Sequence, residues 1–301
     1  MNVSELNNKF SLDGILDITE VHSDFPFIKI NNQYASAVIS LYGGQVLSYT
    51  PHEADELLFL SDKAFYEAGK AIKGGVPICW PWFGADPEGK GRPAHGFARN
   101  SLWELGSTEQ TASGETKVVI NLLSNAVTKK LFPFEFKLSL TVVVGKELKL
   151  ELTTSNMDEE SFDITQALHT YFAVEDINNV AVLGLDGSNY LDKAKSITGE
   201  ENRTQKDNIT FDGEVDRIYL KAPSDLKIKQ KKSVQFIGIK SINNKTAVVW
   251  NPWKELCEQS ADLKPDDYTR FVCVETANVA DDVIKVMPGK TFSLQVVYSI
   301  S

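Results

Sequence analysis

The sequence predicts an all-β fold, a large antiparallel β-sandwich carrying a few short helices. The first sign is strict alternation. Phe134, Phe136, Leu138, Leu140, Val142 and Val144 alternate with Glu135, Lys137, Ser139 and Thr141, and Leu148, Leu150 and Leu152 alternate with Glu147, Lys149 and Glu151. Residues two apart share a strand face, so each run buries one side, and the Gly145-Lys146 joint folds the two into a hairpin. The second sign is the same pattern at Phe292, Leu294, Val296 and Tyr298, after a Met287-Pro288-Gly289-Lys290 turn. The third is strand-sized segments at short spacing with turn signals between them, the layout of a sandwich and not of alternating βα units.

Further strands are expected at residues 34–40, 45–50, 117–123, 162–174, 180–185, 216–220, 234–240, 246–251 and 270–276. Helices are expected to be few. Ser61 is placed to cap one ending at Gly69, and Ser124 one that stops before Phe132-Pro133. Asn251 followed by Pro252 opens one running to about Ala261. The segment from Leu191 to Asn208 reads as a polar, exposed loop.

The 301 residues are 42% hydrophobic and 24% charged, an ordinary globular composition. No composition shift, repeat or linker divides them, so a single domain over residues 1–301 is expected. The net charge of −10 argues against a nucleic-acid or anionic-membrane partner, both of which reward a basic face. An anionic substrate would need a locally positive pocket. Cys79, Cys257 and Cys273 are widely spaced and form no Cys-x-x-Cys pair. That speaks against a zinc ribbon or a disulfide framework and for reduced thiols in the cytoplasm. The N-terminus has no basic-then-apolar signal pattern, and the longest apolar runs fall far short of the ~20 residues of a membrane helix. With no coiled coil or exposed helical stripe, a monomer is expected.

Two neighbouring segments hold the densest chemistry: Lys73-Gly74-Gly75-Val76-Pro77-Ile78-Cys79-Trp80-Pro81-Trp82-Phe83-Gly84 and Pro93-Ala94-His95-Gly96-Phe97-Ala98-Arg99-Asn100. Aromatic faces suit the C–H faces of a sugar, and Lys and Arg suit an anion. The inventory fits a phosphorylated-sugar pocket, and it equally fits a rigid core loop with surface cations. His169 stands in an apolar run, Ala167-Leu168-His169-Thr170-Tyr171-Phe172. It is either a satisfied core residue or an acid with an ordinary pKa near ~6.5. Glu275 shares a strand face with Phe271 and Cys273. A buried carboxylate is costly unless paired, so Glu275 either ends a strand in solvent or sits in a functional cleft. Asp216 is either one half of a surface pair with Arg217 or an acceptor for sugar hydroxyls. Phosphate-cradling and dinucleotide glycine motifs, a His-x-x-x-His metal face and a Gly-x-Ser-x-Gly elbow are all missing from the sequence.

Together with Tyr42-Gly43-Gly44-Gln45-Val46-Leu47-Ser48-Tyr49, residues 214–219, Val249-Trp250-Asn251-Pro252-Trp253 and Val274-Glu275-Thr276-Ala277-Asn278-Val279, these segments give a resemblance. The chain resembles the aldose 1-epimerase (galactose mutarotase-like) superfamily and, within it, the hexose-6-phosphate mutarotase branch. The matching segments run nearly end to end in the family's order. The resemblance implies a sandwich with its cleft on one face, His169 as general acid and Glu275 as general base. It implies His95 and Asp216 as sugar-binding residues and Arg99 and Lys73 as phosphate-binding residues, with Trp82 and Phe83 walling the cleft. Lys73 stands where the branch often has arginine, and Ala94 where some members have glutamine. The implied reaction interconverts the α and β anomers of glucose 6-phosphate or a related sugar phosphate, with no metal and no cofactor. A non-catalytic carbohydrate-binding protein on the same fold and a mutarotase for unphosphorylated aldoses are the competing readings.

Overall fold

The computed structural model describes residues 2–22, 25–194, 201–231 and 233–301. The predicted hairpin forms as Phe136–Val144 against Leu148–Asn156, with Val144 opposite Leu148 and Phe136 opposite Asn156. Phe136, Leu138, Leu140, Val142 and Val144 are all buried on one face, as alternation requires. The hairpin lies in an eight-stranded antiparallel sheet of spatial order Val180–Leu183, Asp225–Gln230, Phe236–Ile242, Thr291–Ile300, Leu148–Asn156, Phe136–Val144, Thr116–Leu123, Glu104–Gln110.

A second eight-stranded sheet runs Glu201–Thr204, Asn189–Asp192, Val215–Leu220, Thr246–Asn251, Phe271–Asn278, Gln166–Leu168, Ile78–Cys79, and Tyr171–Ala173 also pairs with Phe271–Asn278. A four-stranded sheet, Leu16–His22 to Gln45–Pro51 in sequence order, flanks them. One hydrophobic cluster joins all three, from Ile28 and Ile39 through Leu140, Leu152 and Val296 to Val249, Val272 and Val274. Trp80 is fully buried there, and its indole Nε1 donates to Thr154 Oγ1 at 3.0 Å, which satisfies the one polar atom the ring carries into the core.

Three expectations are corrected. No helix follows Ser61. The chain entering that segment is held in strand-like pairing, with Ser61 N donating to the Lys73 carbonyl and Leu60 bridging Gly74, and beyond it only isolated turns form. The helix after Ser124 is only Thr128–Leu131, and the turn leading into it is held by Asn125, not Ser124, with Asn125 Oδ1 accepting from the amides of Val127 and Thr128. Residues 162–174 are not one strand but Phe162–Ile164, Gln166–Leu168 and Tyr171–Ala173. The helix after Pro252 forms as Trp253–Gln259, with Asn251 Oδ1 accepting from Trp253 N at 2.9 Å. Within the expected loop at 191–208, Asn189–Asp192 pairs with Glu201–Thr204, while residues 195–200 lie outside the described residues. A helix at Val3–Phe10, capped by Asn2, docks buried Phe10 on the core.

Candidate active site

The site sits on the face of the second sheet that points away from the main core. Along Phe271–Asn278, Val272 and Val274 enter the inter-sheet core, so Cys273 and Glu275 face the other way. The neighbouring strands continue that outer row. Val248 lies opposite Glu275, Trp250 opposite Cys273, and Asp216 opposite Trp250.

His169 reaches the same row through an interruption in the ladder. Leu168 pairs with Thr276 before the break and Tyr171 with Cys273 after it. The register is unchanged across the gap, so position 169 faces position 275. The His169 amide instead donates to the Pro77 carbonyl at 3.0 Å. The side chains meet: His169 Nε2 is 3.3 Å from Glu275 Oε1. Tyr171 stacks on the imidazole at 5.0 Å and 12°, and Trp250 stands across it at 80°. His169 Nδ1 and Glu275 Oε2 are buried with no protein partner.

A cavity of about 280 Å³ opens over this pair, lined by Lys73, Phe83, Gly84, His95, Arg99, His169, Tyr171, Lys193, Asp216, Val248, Trp250 and Glu275. That is near the small end of ligand sites, ~300 Å³. A second cavity of about 280 Å³ adjoins it through shared Lys73, Arg99 and Tyr171, and adds Phe65, Lys70, Ile72 and Asp262. A larger groove of about 480 Å³ runs along the N-terminal sheet past Leu12, Lys29 and Ser48, but it has no paired acid and base. Among the described residues, no cluster of His, Cys, Asp and Glu has the make-up of a metal site.

Two loops supply the other walls. Gly75 has φ of 62°, and a Cβ there would lie 2.2 Å from the Val46 carbonyl oxygen, so only glycine lets the chain bring Lys73 in along this path. Buried Gln45 clamps the same stretch by donating to the carbonyls of Ile72 and Gly74. The His95 loop wraps the carbonyl of Trp80, which accepts from Phe97 N at 3.0 Å and Ala98 N at 3.3 Å. Arg99 follows in the short 3₁₀ turn Ala98–Asn100, and its Nη2 donates to the Ala94 carbonyl.

Seven of the eight expected site residues therefore line one cavity: Lys73, Phe83, His95, Arg99, His169, Asp216 and Glu275. Trp82 does not. Its ring packs on Phe97, its Nε1 donates to the Pro93 carbonyl, and Arg92 covers its face at 4.3 Å. Trp80 is likewise core. Lys193, Tyr171, Val248 and Trp250 were not singled out. Val248 and Trp250 lie on a strand whose nearly continuous burial hides which face meets the cavity, and Lys193 is a lone loop lysine that nothing in the sequence marks.

Burial dominates the electrostatics. It pushes the Glu275 carboxyl well above the usual range, and nearby Asp216 pushes the same way. It pushes His169 well below its ordinary value, helped by neighbouring His95 and the cations Arg99 and Lys73. Both shifts favour the uncharged forms, a neutral carboxyl beside a neutral imidazole. Asp216 is raised by burial. Cys79 is pushed up to about 12 by burial and is no nucleophile. His95 is pushed down to about 3, first by burial and then by Arg99, Lys193 and Lys73. The Gly84 amide donates to its Nδ1 at 3.3 Å, leaving Nε2 as the ring's donor.

The His95 shift predicts a pH effect. The folded value lies below the unfolded ~6.5, so the protein loses stability as pH falls from 6.5 towards 3. His95→Asn removes this titration, and asparagine tolerates the φ of 62° at that position. In denaturant melts at pH 7 and pH 4.5, the wild type should lose about 2–3 kcal/mol more than the variant. An equal loss in both would show that His95 is not buried in its neutral form.

A profile of the family described as aldose 1-epimerase matches residues 26–299. This chain belongs to the aldose 1-epimerase family. A protein of Escherichia coli K12 named "Putative glucose-6-phosphate 1-epimerase" is 36% identical over 278 residues, covering 90% of this chain and 91% of the relative. One of the same name from Cenchrus ciliaris is 37% identical over 262 residues, covering 84% and 78%. The crystal structure of a "putative mutarotase (YeaD)" from Salmonella typhimurium superposes with a TM-score of 0.89 at 31% identity, covering 97% of this chain and 95% of that one. The aldose 1-epimerase family member described here is accordingly an enzyme of the isomerase class, with the galactose mutarotase-like sandwich that its sequence predicted.

Proposed function

We propose that the enzyme is a hexose-6-phosphate mutarotase acting on glucose 6-phosphate or a close aldohexose relative. The observation that carries this reading is one cavity holding a buried His169–Glu275 pair at 3.3 Å together with the cations Lys73 and Arg99. A pure binding protein has no need of the first, and a neutral sugar has no need of the second.

The resting pair holds a neutral carboxyl and a neutral imidazole. When the sugar enters, its hydroxyls donate to Glu275 and favour the carboxylate, so the carboxyl proton passes over the short gap to His169 Nε2. Glu275 then takes the proton of the C1 hydroxyl while His169 gives its proton to the ring oxygen. The C1–O5 bond breaks with its electrons on O5, and the C1 carbonyl forms. Rotation about C1–C2 presents the other aldehyde face, and the same two groups reverse their roles on closure, so no proton is gained or lost. Positioned acid–base groups of this kind contribute ~10²–10⁴-fold. His95 Nε2 and Asp216 hydrogen-bond ring hydroxyls, and the edge-on packing of Phe83 against His95 at 4.7 Å fixes that wall. Lys73 and Arg99 take the phosphate through charge-assisted hydrogen bonds.

The test is anomer exchange followed by NMR magnetisation transfer with glucose 6-phosphate and with free glucose. Fast exchange of the phosphorylated sugar and little of glucose is expected. Lys73→Ala and Arg99→Ala should each raise KM for the phosphorylated sugar by about 10-fold or more and leave exchange of free glucose unchanged. Equal acceleration of both sugars would replace this reading with a mutarotase for unphosphorylated aldoses. Lys73 already has an anionic partner in Asp262, which is the one observation that favours that alternative.

A further inference from the structure

Lys73 stands at the junction of the two cavities, lining the inner one with His169 and Glu275 and the outer one with Asp262. Its Nζ is 3.4 Å from Asp262 Oδ2, with the two side chains only 24% and 20% exposed. Asp262 lines the outer cavity alone. Its place does not depend on Lys73, because the turn that carries it is pinned on its own account. Neighbouring Leu263 is buried with Phe59, Cys257 and Phe271. Lys264 N donates to Oδ2 of fully buried Asp267 at 2.8 Å.

We propose that Asp262 is a specificity-tuning residue of the phosphate subsite, a built-in anion that competes with the substrate's phosphate for Lys73. This rests on the phosphate assignment above. An ammonium has three donors on a flexible stem and, unlike a guanidinium, cannot grip phosphate through a fixed fork. At a cavity rim such a stem is free to swing into water. Asp262 holds Nζ between the chambers and places a negative charge beside the incoming anion. Lys70, the other cation of the outer cavity, is already paired with Glu67 at 2.8 Å, so Lys73 and Arg99 against Asp262 leave a local surplus of a single positive charge, whereas a phosphate monoester carries about −1.5 to −2 at neutral pH. Lys73 is therefore shared in the complex, and the phosphate is held less tightly than two unopposed cations would hold it. Substrate and product differ only at C1, so stronger phosphate binding would retain both alike and would not lower the chemical barrier.

Asp262→Asn tests this, because it removes the charge and keeps an oxygen for Nζ. KM for glucose 6-phosphate and the inhibition constant for inorganic phosphate should both fall about 3- to 10-fold. The value of kcat should move less than KM, and exchange of free glucose should not move. Added to Lys73→Ala, the same substitution should lower either constant by a smaller factor than in the wild type, because only the direct repulsion of the anion is then left to remove. A KM that stays or rises in Asp262→Asn overturns the proposal, as does an equal shift with free glucose. If Lys73→Ala itself leaves KM unchanged, the phosphate assignment has failed and this inference falls with it. If Lys73→Ala raises KM while Asp262→Asn leaves it unmoved, only the role of Asp262 is lost.

Discussion

Glu275→Gln is expected to slow anomer exchange by about 10²- to 10⁴-fold and, in the same protein, to raise stability at neutral pH. The rate falls because an amide cannot accept the C1 hydroxyl proton. Stability rises because the wild-type site keeps a carboxyl group that is fully buried, which an unfolded chain would leave ionised in water. The folded value lies above the unfolded ~4.5, so this group's favourable contribution is complete below that pH and is lost as pH rises towards the folded value. The gain from Gln should thus be absent near pH 4 and grow with pH, reaching about 1–3 kcal/mol at pH 7. Paired denaturant melts at the two pH values, beside the exchange assay, check both halves. A variant less stable than wild type at pH 7 would mean that the ionised His169–Glu275 pair is the resting state. The trade of stability for activity expected here is common where a site keeps costly polar groups buried.

The second large effect is expected from Gly96→Ala, which should cost about 4 kcal/mol or more or prevent soluble expression. Gly96 has φ of 72°, and an added Cβ would lie 1.9 Å from the Trp80 carbonyl oxygen. Backbone, not a flexible side-chain end, occupies that space, so either the His95 loop or the strand end at Trp80 has to move. Either movement breaks the bonds from Phe97 and Ala98 to that carbonyl and displaces His95 and Arg99 together. A thermal melt gives the cost, and a variant that folds should show a raised KM. An Ala variant as stable as wild type would mean that the loop has another way to close over Trp80.

The architecture was legible where one face of a strand is buried and the other is wet. Phe136–Val144 and Thr291–Ile300 announce themselves by alternation, and the same rule placed Glu275 beside Phe271 and Cys273 and away from the core. The rule failed where pairing, not periodicity, decides the backbone. The stretch after Ser61 carries a cap signal, yet the chain entering it is held by Lys73 and Gly74, and beyond Ser61 only isolated turns close, Ala64 N on the Ser61 carbonyl and Lys70 N on the Glu67 carbonyl. The break at His169 is invisible in an unbroken apolar run, because it depends on the Pro77 carbonyl arriving from a distant strand. Phe25–Asn31 was missed for a related reason. Phe25, Pro26, Phe27 and Ile28 are all buried, so that strand shows a continuous run and not alternation. At the site, aromatic residues on glycine- and proline-rich backbone were a sound pointer to the region but not to the wall: Phe83 lines the cavity, and Trp80 and Trp82 do not. Lys193 and Asp262 are single charges in loops, and only the folded chain gives them neighbours.

The interruption at His169 keeps its register, with Leu168 opposite Thr276 and Tyr171 opposite Cys273. Because neighbouring positions on a strand point to opposite sides, the chemistry of this enzyme depends on a parity. Inserting one residue between Cys273 and Glu275 would exchange even for odd and turn the Glu275 carboxyl toward the oily interior, and one inserted between Leu168 and His169 would do the same to the imidazole. Every residue type would be retained and the composition nearly unchanged. Point substitutions change what lines the cavity, but along these two strands one extra residue takes half of the His169–Glu275 pair out of it and makes a packing fault.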